Sequence, residues 1–210
     1  MKAVLTSVFI AFIFSSGLSQ DENIQKEITV EKIWKEYLFY GSGVDGFRSM
    51  KDGEHFTQIR LIDGKKSIMK YPFENQKIDG ELILHGKELK YEGKDLKFDG
   101  YEFNETEDKL LITTNRVKRY RRSFFAEYYL YDLNTKKLQP LDEAHSPQTL
   151  ASYSPDGSKV AYIYKNDIYV KDLSNGKVKA ITKDGKINSI INGTTDWVYE
   201  EAVSYTHLTL

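Results

Sequence analysis

"SYSPDGSKVAYIYKNDIYVKDLSNGKVKAIT", residues 152–182, parses as turn, strand, strand, turn, strand. Pro155-Asp156-Gly157 and Asn175-Gly176 are turn signals, since proline presets φ and glycine accepts a positive one. Ile168 and Val170 alternate with Tyr169 and Lys171, the two-residue period of a strand. The phrase recurs upstream in "FNETEDKLLITTN…YYLYDLNTKKLQPL", residues 103–141. Lys109-Leu110 stands fifty residues before Lys159-Val160, and Asp132-Leu133 stands forty before Asp172-Leu173. A fainter copy, "SMKDGEHFTQI…KSIMKYPFENQK", starts at Ser49 and puts Gly53 in the place of Gly157. Four short strands repeated every forty to fifty residues are blades of a β-propeller. An ordinary antiparallel sandwich with coincidental turns is the alternative.

Ahead of the repeats, "ITVEKIWKEYLF" spaces Ile28, Val30, Ile33, Trp34, Tyr37 and Leu38 in a mostly helical way, with Lys32, Lys35 and Glu36 between them. Thr29 can cap such a helix and Glu31 suits its N-terminal dipole. The expected fold is therefore all-β: a partial β-propeller of about three four-stranded antiparallel blades, preceded by a short amphipathic helix.

Composition bounds the function. The chain has 210 residues, 40% hydrophobic and 13% aromatic, which describes a globular protein. Fifteen tyrosines and few alanines favour strands. Thirty basic against thirty-one acidic residues leave no overall field to recruit nucleic acid. The opening "MKAVLTSVFIAFIFSSGLSQ" has Lys2, an apolar run from Ala3 to Phe14 and the small-x-small Gly17-Leu18-Ser19, the pattern of an export signal. The run is short for a membrane span. Residues 1–19 are thus expected to direct export to a periplasm or the outside, leaving no stable membrane insertion after cleavage. With no cysteine, the exported part must hold together without disulfides. Asn104-Glu105-Thr106 and Asn192-Gly193-Thr194 are glycosylation sequons of low specificity.

The offsets of fifty and forty differ by ten, so the earlier blade carries ten extra residues between matched strands. They include "NRVKRYRRSFF", with Arg116, Lys118, Arg119, Arg121 and Arg122 beside Tyr120, Phe124 and Phe125. Insertions in repeat proteins map to loops on one face, often the binding face. A solvated charged hairpin, an arginine fork for an anion or carbonyl, and a nucleic-acid patch with stacking aromatics compete for this cluster. Near the C-terminus, "INGTTDWVYEEAVSYTHLTL" places Glu200 and Glu201 beside Trp197 and Tyr199. Read alone, the acidic pair is an exposed turn.

"NRVKRYRRSFFAEYYLYDL", "YSPDGSKVAYIYKNDIYVKDL" and "INGTTDWVYEE" occur in the order found in the N-terminal propeller of the dipeptidyl peptidase IV family, which this chain resembles from about residue 103 to 201. The likeness is vaguer over 28–102, where "VDGFRSMKDGEHFTQI" still looks like a first blade. The resemblance implies an eight-bladed propeller followed by a serine hydrolase domain that removes dipeptides from peptides with a free N-terminus. It also implies a homodimeric parent and no cofactor. In the family's "DWVYEEE" the second and third glutamates hold the substrate amine. Those positions are Glu201 and Ala202 here, with Glu200 first in the run. Arg121 falls where the family has an arginine that holds a carbonyl of the bound dipeptide. Glu201, Glu200 and Arg121 are thus the candidate substrate-binding residues. Past Glu201 the resemblance stops, and "VSYTHLTL" looks like a translated adapter, so 202–210 is expected to be a non-native tail to an incomplete propeller over 20–201.

No G-x-S-x-G nucleophile elbow is present, so no catalytic residue is assigned. His55, His85, His145 and His207 are scattered, without zinc spacing or a cysteine partner, and each reads as a surface or strand histidine. The expected function is the substrate-gating propeller of an exported dipeptidyl peptidase, inactive by itself. The other class left open is a non-enzymatic propeller module that binds a peptide or protein partner.

Overall fold

The computed structural model describes residues 28–41, 43, 46–74 and 80–201. The expected export signal, the expected tail and His207 lie outside the described residues. The chain divides into one unit up to Gly43 and a second from Val44 onward.

In the first unit, α1 (Val30–Trp34) is capped as the sequence suggests, with Thr29 Oγ1 accepting the Lys32 N–H at 3.2 Å. It is five residues long, shorter than its apolar spacing promised, and none of its residues is buried. Tyr37 takes a left-handed φ of 50°, a conformation that ends helices. No helix among the described residues is long and apolar enough to cross a membrane.

The second unit holds three four-stranded antiparallel sheets, each a meander. The first contains β1 (Arg48–Ser49), β2 (His55–Ile62), β3 (Lys65–Pro72) and β4 (Glu81–Leu84). A two-stranded hairpin of β5 (Lys90–Tyr91) and β6 (Lys94–Asp95) follows. The second blade has β7 (Phe98–Phe103), β8 (Lys109–Lys118), β9 (Phe124–Asp132) and β10 (Leu138–Pro140). The third has β11 (Thr149–Tyr153), β12 (Lys159–Tyr164), β13 (Asp167–Asp172) and β14 (Val178–Ala180), and α2 (Trp197–Glu201) comes after it.

The repeat seen in sequence is a repeat of hydrogen bonds. Lys109 pairs with Asp132 across β8 and β9, and Lys159 pairs with Asp172 across β12 and β13. The turns that open the blades match as well. Gly53, Glu107 and Gly157 have φ of 72°, 55° and 69°, and their amides reach back to the carbonyls of Met50, Asn104 and Ser154. Glycine supplies this conformation without steric cost at two of the three places. At the third, Asn104 stiffens the turn: its Oδ1 accepts from the Asp108 and Lys109 amides at 3.1 and 2.9 Å, and its Nδ2 donates to Thr106 and Asp108. Both ends of this sequon side chain are therefore engaged within the fold.

Neighbouring blades pack face to face, and the second blade is buried on both faces. Successive residues of a strand point to opposite sides. Leu110 and Ile112 accordingly join Ile59, Ile68 and Leu84 of the first blade, with Tyr129 and Tyr131. Leu111 joins Val160 and Tyr162 of the third, with Tyr128 and Leu130. This explains why "KLLIT" and "YYLY" read as continuous apolar runs rather than alternating ones.

A polar pin also joins the second and third blades. The Asp142 carboxylate, just beyond β10, accepts from the Tyr162 hydroxyl and the Ala144 amide, and His145 Nδ1 lies 2.6 Å away. Burial pushes Asp142 upward, but the bonds from Tyr162, His145 and the Ala144 amide, with the histidine charge, outweigh it and hold the carboxyl below its ordinary value. Burial and the same bond push the Tyr162 phenol up.

Two outcomes follow. Leu110→Ala and Leu111→Ala, adjacent residues in separate cores, should each cost about 2–5 kcal/mol in urea unfolding; a neutral result for either would mean that blade 2 packs on one neighbour only. Tyr162→Phe should cost roughly 1.5–3 kcal/mol, because a donor to a charged acceptor is lost. Since the Asp142 pKa is lowered by folding, its contribution is present above the ordinary carboxylate pKa and lost as pH falls through the folded value. The acid limb of the stability curve should therefore be shallower in Tyr162→Phe, and parallel curves from about pH 7 to about pH 3 would contradict the pin.

Candidate functional site

The ten extra residues of the second blade form an arm rather than a loose loop. Thr114 pairs with Glu127 as Tyr164 pairs with Asp167. Beyond that point the third blade turns in two residues, 165–166, while the second continues through 115–126. A bulge between Thr114 and Val117 bends β8, and pairing resumes at Val117↔Phe125 and Lys118↔Phe124. Contacts between basic and aromatic side chains brace the extended pairing. Arg116 places its guanidinium carbon 3.7 Å from the Phe124 ring centroid, and its amide donates to Asp99 Oδ2 at 2.8 Å. The base of the arm is tied to the third blade: Ala126 and Gln148 exchange backbone bonds of 2.9 Å, and Thr149 Oγ1 donates to the Phe124 carbonyl.

At the tip, the Arg119 and Tyr120 amides close back on the Ser123 carbonyl. The next three amides have no strand to pair with, and α2 receives them. Glu201 Oε1 accepts the Arg121 N–H at 2.9 Å. Glu200 Oε1 accepts the Arg122 and Ser123 N–H groups at 2.7 and 2.9 Å. Successive main-chain N–H groups in a turn make an anion-binding concavity, and two side-chain carboxylates occupy this one. α2 is started by Asp196, whose Oδ1 accepts the Tyr199 N–H at 2.9 Å and whose carbonyl accepts the Glu200 N–H.

Burial raises the Glu200 carboxyl, but hydrogen bonding with Ser123 and the Arg122 amide, together with the Arg119 charge, holds it below its ordinary value. Arg119 lies over Tyr120 and Phe125, with centroid distances of 4.9 and 5.4 Å. The Arg121 guanidinium is exposed and has no partner among the described residues, and the second oxygen of Glu201 has none either. Beside the arm opens a cavity of about 720 Å³, walled by Tyr120, Phe125, Pro147, Tyr164, Ile191 and Asp196. Arg119, Lys165, Asn166 and Asn188 add polar groups to its wall.

Arg121, Glu200 and Glu201, the three candidates from sequence, are thus brought together across some eighty residues of chain. Sequence reasoning included a charged hairpin among the readings of the insertion but missed Asp99, Arg116 and Phe124 as its braces. The clustering of basic and aromatic residues in "RVKRYRRSFF" was the available signal. His55, His85 and His145 each lie beside a nearby aspartate, and His145 is half-buried in the pin between blades rather than on the surface. Among the described residues no cluster of histidine and acidic side chains could hold a metal ion.

Residues 104–207 match the family described as the dipeptidyl peptidase IV N-terminal region. Dipeptidyl peptidase 4 of Felis catus is 42% identical over 94 residues, 45% of this chain and 12% of that protein. Dipeptidyl peptidase 4 of Sus scrofa is 42% identical over 103 residues, 49% of this chain and 13% of that protein. The crystal structure of Porphyromonas gingivalis dipeptidyl peptidase 4 superposes with a TM-score of 0.71 at 30% identity, covering 83% of this chain and 24% of that one. The chain therefore spans about an eighth of the length of these curated relatives. Matched segment, blade repeat and superposition agree: the chain belongs to the dipeptidyl peptidase IV family, in the part that corresponds to its N-terminal propeller.

Proposed function

We propose that this propeller region grips the free N-terminus of a peptide for an exported serine exopeptidase that removes dipeptides. The observation that carries the reading is one hydrogen-bonded pair with two free ends. The Arg121 amide is fixed to Glu201, while the guanidinium of one residue and an oxygen of the other have no partner among the described residues. A peptide's α-amino group, with a pKa of roughly 7.7–8.0, is largely protonated at neutral pH and needs an acceptor such as the open Glu201 oxygen. The first carbonyls of the same peptide need a directed donor, which the Arg121 fork supplies. Because the Arg121 amide is tied to Glu201, the two groups sit beside each other and measure the substrate from its end, as an enzyme that counts two residues requires. The hydrolytic step belongs to a nucleophile elsewhere in the longer protein, since this sequence has no G-x-S-x-G.

Titration of the full chain with a dipeptide amide, free and N-acetylated, tests the grip. Only the free amine should bind. Arg121→Ala should weaken it about tenfold or more, the loss of a charge-assisted hydrogen bond. Arg119→Ala should do much less, because that side chain is spent on Tyr120 and Phe125. Equal losses would mean that bulk positive charge, not a placed guanidinium, governs binding. Sequencing the source gene past the Glu201 codon should reveal a third glutamate, further blades and a G-x-S-x-G; a gene without that motif would leave the binding module without an enzyme.

A further inference from the structure

Glu200 and Glu201 are neighbours of one type, yet they are used differently. Glu200 spends one oxygen on two consecutive amides, Arg122 and Ser123, at 2.7 and 2.9 Å. Glu201 spends one on the Arg121 amide alone. Beyond the Lys118↔Phe124 pair, the Arg119 and Tyr120 amides close the main chain of the tip on the Ser123 carbonyl. Without α2, the amides that flank the Arg121 side chain would face water. Nor does apolar packing hold α2 in place: Trp197, Val198 and Tyr199 are 55%, 47% and 60% exposed. Arm tip and helix therefore depend on each other through these carboxylates.

We propose that Glu200 is a positioning residue, not a ligand for the peptide: its carboxylate clamps the Arg122 and Ser123 amides, sets Arg121 in register with Glu201, and leaves Glu201 to meet the substrate cation. The clamp rests on the peptide-grip reading for its purpose but not for its existence. A carboxylate suits the task because acceptors with full charge make stronger bonds to main-chain N–H groups, and the Arg119 charge beside it favours that ionised form. The Glu200 carboxylate is already turned to the arm, so a peptide amine would have to compete with two amides for it.

The test is amide hydrogen exchange of the full chain, resolved at residues 119–124, for wild type and for Glu200→Ala, Glu200→Gln and Glu201→Ala. Glu200→Ala should speed exchange at Arg122 and Ser123 by about tenfold or more, leaving the paired strands of the blades unchanged. Glu200→Gln keeps an oxygen acceptor in place without the charge and should recover part, but not all, of the protection. Glu201→Ala should expose the Arg121 amide only. Unchanged exchange at Arg122 and Ser123 in Glu200→Ala overturns the clamp, and so does a wild type in which these amides exchange as freely as unstructured ones. Binding of the free-amine dipeptide amide, measured on the same proteins, separates the two readings. Binding lost in Glu201→Ala, with Glu200→Ala protected as wild type, sinks the clamp and keeps the grip. Deprotection in Glu200→Ala, with no binding by wild type, keeps the clamp and sinks the grip.

Discussion

Three consecutive amides at the end of a hairpin, those of Arg121, Arg122 and Ser123, donate to two consecutive glutamates that arrive from beyond the third blade. Everything distinctive about the site depends on that exchange. A two-stranded arm standing out from a sheet is a marginal structure by itself, and a five-residue helix is too short to persist in water without help. Each supplies what the other lacks. The arm has unsatisfied donors and the helix has ionised acceptors, so the pairing closes a loop of nearly eighty residues around the whole third blade.

The blades make that closure geometrically possible. Because β8 and β9 are covered on both faces, the second blade is the packed centre of the second unit, and the arm is its direct continuation. The Arg116–Phe124 stack and the Asp99 bond to the Arg116 amide carry the stiffness past the bulge. The Asp142–Tyr162 pin and the Ala126–Gln148 bridge fix the third blade against the second, which fixes where its exit can place α2. A side chain at the tip is therefore located by packing and hydrogen bonds several steps removed from it.

Much of this was legible in the sequence. The blade period could be read because the same turn chemistry and the same Lys…Asp pairing recur, and pairing register is a local property of strands and turns. The ten-residue excess was read from unequal offsets, and the resemblance singled out Arg121, Glu200 and Glu201, which the fold brings together. What escaped is what depends on distant partners. Lys165 and Asn166 take positive φ of 49° and 67° in a two-residue hairpin turn, yet lysine is not a turn signal. The Thr29 cap was readable, but the early end of α1 at a left-handed Tyr37 was not, since a tyrosine gives no warning of that conformation. Nor does an aspartate at 142 announce that a tyrosine twenty residues later will bury its hydroxyl against it.

The central claim is that the glutamates of α2 hold the arginine tip closed, and site-resolved limited trypsin digestion tests it most directly. The tip carries three trypsin-susceptible arginines, Arg119, Arg121 and Arg122, and cleavage there requires the arm to open and leave α2. Cleavage after these residues should be slow in the native chain and faster by about tenfold or more when Glu200 and Glu201 are both replaced by alanine, with cuts in the blades unaffected. Equal rates of cutting at the tip in the two proteins would contradict the account.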